Sequence, residues 1–204
     1  MASTPTTKRE SMTLTDRLRI WTAGIIDPIV TFLAKVGITP DFLTVLGMLT
    51  HGLFAWLIII GQIRWAGIAV ALLSPLDALD GSLARKTKKT QGKFGAFLDS
   101  TLDRFAEIVL YAGYIIYFAN ANNSWMVAAA YIALTGSLMV SYTRSRAEAL
   151  GISCKVGLLT RVERYIIIVV SLVLNVPEYG LIVLAVGTYF TAVQRMYHVW
   201  KQTR

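Results

Sequence analysis

One cysteine in 204 residues, Cys154, is too few for an internal disulfide or a cysteine-based metal cluster. The two histidines, His51 and His198, have no partner at ligand spacing, so each reads as a packed or interfacial side chain. Charge is scarce as well: Asp, Glu, Lys and Arg make up 16% of the chain, against about a quarter in ordinary soluble domains. The sequence has no internal repeat, coiled-coil heptad, zinc-ligand spacing or Gly-rich loop of the Walker type, and no nucleic-acid partner is expected. Residues 1–10 are polar and carry no apolar run followed by a small-residue cleavage site, so no signal peptide is expected.

What the chain has in quantity is apolar surface. Hydrophobic residues make up 55% of it, and the mean hydropathy is +0.56. A membrane protein is the default for such a composition. Crossing the hydrocarbon core takes roughly 20 apolar residues per helix. Asp41–Ile60, Ile63–Leu83, Phe94–Phe118, Trp125–Tyr142, Tyr165–Asn175 with its flanks, and Gly180–Tyr197 read as six spans. The fifth apolar core is short, which places the start of its helix near Thr160. Before these spans, Leu14, Leu18, Trp21, Ile25, Ile29 and Phe32 recur every three or four residues, with Arg17, Arg19 and Lys35 elsewhere. That pattern predicts an amphipathic helix lying in the headgroup region, bent at Asp27-Pro28. The fold class expected is therefore all-α integral membrane, with six transmembrane helices preceded by an N-terminal amphipathic interfacial helix. The expected domains are a flexible tail over 1–12, the juxtamembrane helix over 13–36 and the membrane domain over 40–200.

Positive charge sets the orientation. Most of the 20 Lys and Arg lie in the N-terminal region, the loop from Arg85 to Lys93, the stretch from Arg144 to Arg164 and the C-terminal tail. The connections "GQIR", "ANANNSW" and "NVPEYG" hold only Arg64 between them. Basic and neutral connections alternate, so both termini and the acidic loop face the cytoplasm and the number of crossings is even. Trp65 and Trp125 then fall at the outer interface, and Trp21 and Trp200 at the inner one.

Five acids stand where such a chain is least expected to keep them, in "SPLDALDGSLARKTKKTQGKFGAFLDSTLDRFAE", residues 74–107. Asp77 and Asp80 share a helical face, while Asp99, Asp103 and Glu107 form a second stripe at intervals of four. The stripes belong to adjacent spans joined by a short basic loop, so a helical hairpin points four carboxylates at one another. Unpartnered acids at that depth are costly, and those that persist are usually functional. Arg85 and Arg104 answer two of the charges, and divalent metal answers the rest. All-oxygen ligation suits Mg²⁺, Mn²⁺ or Ca²⁺, and a pair of such ions activates both partners of a phosphoryl transfer. Simple Arg–carboxylate pairing and an ion-transport pathway are the alternatives. Gly81, Ala84 and Gly95 supply a small-residue lining, which favours a bulky phosphorylated substrate over a bare ion. Glu107 continues its stripe by one turn, and Arg104 beside it suggests an ion-pair role.

Asp77-x-x-Asp80-Gly81-x-x-Ala84-Arg85 followed by Gly95-x-x-x-Asp99-x-x-x-Asp103 resembles the signature of the CDP-alcohol phosphotransferases. The loop between Arg85 and Gly95 is one residue longer than the family pattern, which bears on how that loop meets nucleotide and not on the acids. The resemblance implies a divalent-metal-dependent enzyme in which an acceptor hydroxyl attacks the lipid-side phosphorus of CDP-diacylglycerol or an ether-lipid analogue and CMP leaves. It implies two divalent cations, Mg or Mn, held by Asp77, Asp80, Asp99 and Asp103, with Asp103 also the proton acceptor. It places Gly81, Ala84 and Arg85 in the cytidine and phosphate pocket. Asp41 and Thr44, in "TPDFLT", are candidates for the same pocket, with helix capping as the alternative. Relatives are commonly homodimers, so a homodimer in the bilayer is expected.

Arg144 and Arg146 close the fourth span, and Arg161 and Arg164 open the fifth, one turn apart. Arginine suits bidentate phosphate contact, so these four are the candidate site for an acceptor that itself bears phosphate; headgroup anchoring is the alternative. "LDSTLDR", Ser141-Tyr142-x-Arg144 and the Arg161-x-Glu163-Arg164 turn resemble the branch that makes phosphatidylinositol phosphate, or its archaeal ether-lipid counterpart, from inositol 1-phosphate. Glycerol 3-phosphate is the alternative acceptor, and an ion-coupled transporter is the alternative from another class.

Overall fold

A computed structural model describes residue 24, residues 27–74, residue 79, residues 81–83 and residues 93–204. The tail, most of the expected amphipathic helix, Asp77, Asp80, Ala84 and Arg85 lie outside the described residues. Within them the chain is helical: α1 covers residues 27–36, α2 Pro40–Ile59, α3 Ile63–Leu73, α4 Lys93–Asn120, α5 Ser124–Ala149, α6 Arg161–Val173 and α7 Pro177–Gln202. Residues 79 and 81–83 are also helical.

Local chemistry fixes where these helices begin and end. Pro40 opens α2 behind the N-cap Thr39, whose hydroxyl accepts from Phe42 N at 3.3 Å, and the Asn123 side chain caps α5 through Met126 N at 3.2 Å. At the other ends Gly37, Gly61, Asn122, Gly151 and Asn175 take positive φ, and the two amides that follow each helix fold back onto its last carbonyls. For α1 these bonds are Gly37 N to Ala34 O and Ile38 N to Leu33 O, at 3.3 and 3.1 Å. Only residues without a β-carbon penalty, or Asn, take that conformation readily, and the bonds satisfy carbonyls that would otherwise be orphaned in an apolar setting.

Two differences from the sequence reading concern length. The second expected span, Ile63–Leu83, is described in pieces: α3 runs to Leu73, Ser74 keeps helical backbone with its N–H on Val70 O, and residues 75–78 and 80 lie outside the described residues. The fourth helix runs past Tyr142 to Ala149, so Arg144 and Arg146 sit on its last turns. The fifth begins at Arg161 with Thr160 as N-cap, as expected.

By length and apolarity, α2 and α5 qualify as membrane-crossing helices. The distribution of side chains agrees with lipid as the surrounding solvent. Leu49, Trp56, Trp65, Leu72, Trp125, Val186 and Val193 are exposed, whereas Thr44, His51, Glu107, Ser137, Arg164, Ser171, Thr188, Thr191 and Arg195 are buried. Polar groups inside and large apolar groups outside is the arrangement lipid favours. The interior cluster joins Phe54 and Ile58 of α2, Leu110, Tyr111, Tyr114 and Phe118 of α4, Ile168 and Leu172 of α6, and Leu181 and Leu184 of α7.

Small residues let the helices approach closely. A β-carbon on Gly113 would lie 2.7 Å from the Ala55 Cα, tying α4 to α2, and one on Gly136 would lie 2.0 Å from Thr188 Oγ1, tying α5 to α7. A second apolar cluster, Val30, Leu43, Leu79 and Leu83, packs α1 and the short helical turn against the start of α2.

Candidate active site

The carboxylate stripe of α4 faces the first turn of α6. Asp99 and Asp103 are half-buried and Glu107 is buried. On α6 the hydroxyl of the N-cap Thr160 donates to the carboxylate of Glu163, three residues on, a bond between side chains. Glu163 is thereby occupied at the helix start, and the two arginines flanking it reach across to α4. Arg161 Nη1 donates to Asp103 Oδ2 at 2.6 Å, and Arg164 Nη2 donates to Glu107 Oε1 at 2.5 Å. The rungs rise together, 103 with 161 and 107 with 164, so the two helices run in the same direction.

This ladder corrects the counting of cations made from sequence. Arg104 was expected to serve Glu107, yet its Nη1 donates to Ser100 O at 2.5 Å and lies 3.8 Å from Asp103 Oδ2. Glu107 takes its counter-ion from Arg164 instead, both being buried between the helices while Arg104 is held at Ser100 O. Two of the four arginines expected to bind phosphate thus rest on carboxylates of α4.

Further basic groups lie on α5 and α7. Arg144, on the exposed end of α5, pairs with Glu148 at 2.8 Å, and Arg146 is exposed in the last turn. Arg195 of α7 is buried; its Nε donates to Val156 O at 2.8 Å and its Nη1 to Val140 O. Arg195 thereby joins α7 to α5, while Arg164 Nη1 donates to Leu159 O at 3.4 Å in the connection that α7 also holds. Sequence reading did not single out Arg195. The signal was available, since a cation within the apolar run Gly180–Tyr197 is as costly there as the acids are.

Arg195 also fixes the 150–160 connection, together with Thr191, whose Oγ1 accepts from Leu159 N at 3.0 Å, and Gln202, which donates to Ser153 O at 3.2 Å. Gly157, at φ +146, passes close to Thr191 and Arg195, where a side chain would collide. Cys154 is buried in this connection, and burial pushes its thiol pKa up.

At the head of α2, Asp41 is exposed in the first turn, and Thr44 is buried with its hydroxyl donating to Pro40 O at 3.1 Å. The capping side chain is Thr39, so capping does not account for either. Gly81 is half-buried. His51 is buried in α2: Nδ1 is 2.9 Å from Gly47 O and Nε2 is 2.7 Å from the Tyr165 hydroxyl. The Arg161 guanidinium lies over the Tyr165 ring, 5.7 Å from its centroid. His198, the other histidine, meets Gln202 at 2.5 Å.

Among the described residues no three acid, histidine or cysteine side chains form a metal-holding group. The two described members of the expected ligand set, Asp99 and Asp103, nevertheless fit a hard divalent cation. They are carboxylates one turn apart on one helix face and half-buried, the oxygen donors such an ion takes.

Comparison with known proteins places this geometry in context. A sequence model of the CDP-alcohol phosphatidyltransferase family matches residues 37–193. The archaetidylinositol phosphate synthase of Pyrococcus horikoshii is 39% identical over 171 residues, covering 83% of this chain and 88% of that protein. The phosphatidylinositol phosphate synthase of Streptomyces avermitilis is 31% identical over 219 residues, covering 99% of this chain and 88% of that one. Among solved structures, Mycobacterium tuberculosis phosphatidylinositol phosphate synthase with CDP-DAG bound superposes with a TM-score of 0.80 at 32% identity, covering 87% of this chain and 94% of that one. The same enzyme in complex with manganese and citrate gives a TM-score of 0.79 at 32% identity, covering 86% and 88%.

Proposed function

Since the chain belongs to the CDP-alcohol phosphatidyltransferase family and is a metal-dependent phosphotransferase, we propose that it moves a phosphatidyl-type group from a CDP-linked lipid to the hydroxyl of inositol 1-phosphate and releases CMP. The observation that carries the acceptor assignment is the placement of Arg164 on Glu107 of α4, with Arg144 at the exposed end of α5. A guanidinium can hold a phosphate on the acceptor as it holds a carboxylate, with two donors at once. Arg161 and Arg146 complete the candidate phosphate site.

In this reading Asp77, Asp80, Asp99 and Asp103 hold two divalent ions, Mg or Mn, which supply charge neutralisation to the pyrophosphate of the donor. Asp103 takes the proton of the attacking hydroxyl, with Arg161 orienting its Oδ2. Gly81, Ala84, Arg85, Asp41 and Thr44 contact the CDP moiety. The membrane domain crosses the bilayer six times, with both termini and the site on the cytoplasmic side, and the protein works as a homodimer. The manganese and the CDP-DAG bound in the M. tuberculosis structures support the metal and the donor.

The test supplies purified protein with CDP-diacylglycerol, Mn²⁺ or Mg²⁺, and either inositol 1-phosphate or glycerol 3-phosphate, and measures CMP. Release with inositol 1-phosphate is the expected result, and Arg161→Ala should raise the KM for the acceptor well before that for the CDP-lipid. Turnover with glycerol 3-phosphate alone would move the acceptor assignment. Inactivity of metal-loaded protein with every phosphorylated alcohol would remove the reading.

A further inference from the structure

A histidine and a tyrosine in the membrane interior need a reason, because phenylalanine or leucine would fill the same volume without polar atoms to satisfy. His51 and Tyr165 have one in common: they meet each other, and Tyr165 carries Arg161. We propose that His51 and Tyr165 are a positioning pair that seats Arg161 on Asp103, so that Arg161 competes with a divalent ion for that carboxylate and the pair sets how tightly the ion is held. The inference rests on the reading of Asp103 as a metal ligand.

The geometry supports a rigid seat. His51 Nδ1 faces the Gly47 carbonyl at 2.9 Å, and a carbonyl only accepts, so the ring proton belongs on Nδ1. In the neutral tautomer Nε2 is then left to accept from the Tyr165 hydroxyl at 2.7 Å. The imidazole is further held by edge contacts, with ring centroids 5.0 Å from Phe54 and 6.1 Å from Tyr165. Tyr165 is therefore anchored at its hydroxyl, and its face is presented to the guanidinium 5.7 Å from the ring centroid. The same guanidinium reaches Asp103 Oδ2 at 2.6 Å.

Arginine is long and flexible, and the Arg161 side chain is 37% exposed, so without a seat it loses much of its order. A cation over a tyrosine face contributes enough to hold one rotamer over others. The consequence is electrostatic. A guanidinium and a divalent ion repel each other at one oxygen, so whatever fixes the guanidinium there weakens the ion. Three helices take part: α2 gives His51, α6 gives Tyr165 and Arg161, and α4 gives Asp103.

The experiment titrates full-length protein in lipid nanodiscs with Mn²⁺ alone by calorimetry, then measures acceptor KM and kcat. Tyr165→Phe and His51→Ala are expected to lower the Mn²⁺ dissociation constant by roughly twofold to tenfold, while acceptor KM rises by a similar factor and kcat changes less. Opposite movement of the two constants is the signature, since a loosened fold would worsen both. His51→Gln, which keeps an acceptor within reach of the tyrosine hydroxyl, is expected to restore most of the wild-type behaviour. In an Arg161→Ala background Tyr165→Phe should leave the Mn²⁺ constant where Arg161→Ala set it. If His51→Ala does not fold, Tyr165→Phe, which deletes one oxygen atom, carries the test. Wild-type protein that binds Mn²⁺ with constants unchanged in Tyr165→Phe overturns the inference, as does joint weakening of both constants. Wild-type protein that takes up no Mn²⁺ overturns the metal reading beneath it.

Discussion

Arg164 and Glu107 form an ion pair closed off from solvent: Nη2 lies 2.5 Å from Oε1, and the side chains are 3% and 7% exposed. Arg164 spends Nη1 on the Leu159 carbonyl at 3.4 Å, and Glu107 Oε2 has no hydrogen-bond partner among the described residues. The pair ties the start of α6 to α4 one turn beyond Asp103, the second rung beside the Arg161–Asp103 contact. A buried pair of this kind adds little net stability over an apolar pair, yet losing one partner strands the other charge.

Glu107→Ala should therefore destabilise strongly, by about 3–5 kcal/mol, through the uncompensated Arg164. Glu107→Gln should cost less, because the amide still accepts from Arg164. Thermal unfolding in detergent checks the order; equal melting temperatures for wild type and Glu107→Ala would mean that Arg164 finds another anion.

Asp103→Asn keeps the size of the side chain and removes its capacity to take a proton. A fall in CMP release of about 10²- to 10⁴-fold is expected, with the folded helical spectrum retained. Chelation should abolish activity in wild type, and re-addition of Mn²⁺ or Mg²⁺ should restore it.

The α5–α7 contact leaves no room at Gly136, where a β-carbon would fall 2.0 Å from Thr188 Oγ1. Gly136→Val should cost about 1–3 kcal/mol by overpacking. Gly52, with nothing within 4 Å of its would-be β-carbon, is the control and should tolerate alanine. Comparable melting temperatures for the two variants would show that α5 and α7 separate more easily than the packing implies.

Cys154 is buried in the 150–160 connection and its thiol pKa is pushed up by desolvation. A raised folded-state pKa means that the folded protein holds this proton more firmly than the unfolded chain does. Its contribution to stability is present below the unfolded pKa and is lost as pH rises through the folded one. Alkylation by iodoacetamide should accordingly be slow in native protein at mildly alkaline pH and fast after denaturation. Rapid labelling of native protein would mean that the connection opens.

Much of the site was legible because it is written in local periodicity. Intervals of three and four put acids on helix faces whatever the tertiary structure, and Asp99, Asp103 and Glu107 do share one stripe of α4. The start of α6 at Thr160 was also readable, since its apolar core is too short to cross the bilayer unless the helix begins in the basic turn before it. The second expected span is described only in part, as α3 and the helical residues 79 and 81–83. Arg195 and the His51–Tyr165 contact went unread: each looks like an isolated polar residue in an apolar run until its neighbours are known.

The sequence by itself determined the solvent of the fold, the helical segments and the chemistry at stake, through apolar run lengths, alternating basic connections and the spacing of the carboxylates. Only the tertiary structure decided which cation meets which acid. Asp103 and Arg161 are 58 positions apart, and Glu107 and Arg164 are 57 apart. Arg104, adjacent to Asp103 in the chain, turns back to its own helix at Ser100. Ion pairing depends on distance in space, which falls off nothing like distance along a chain, and so the pairing waited for the packing of α4 beside α6.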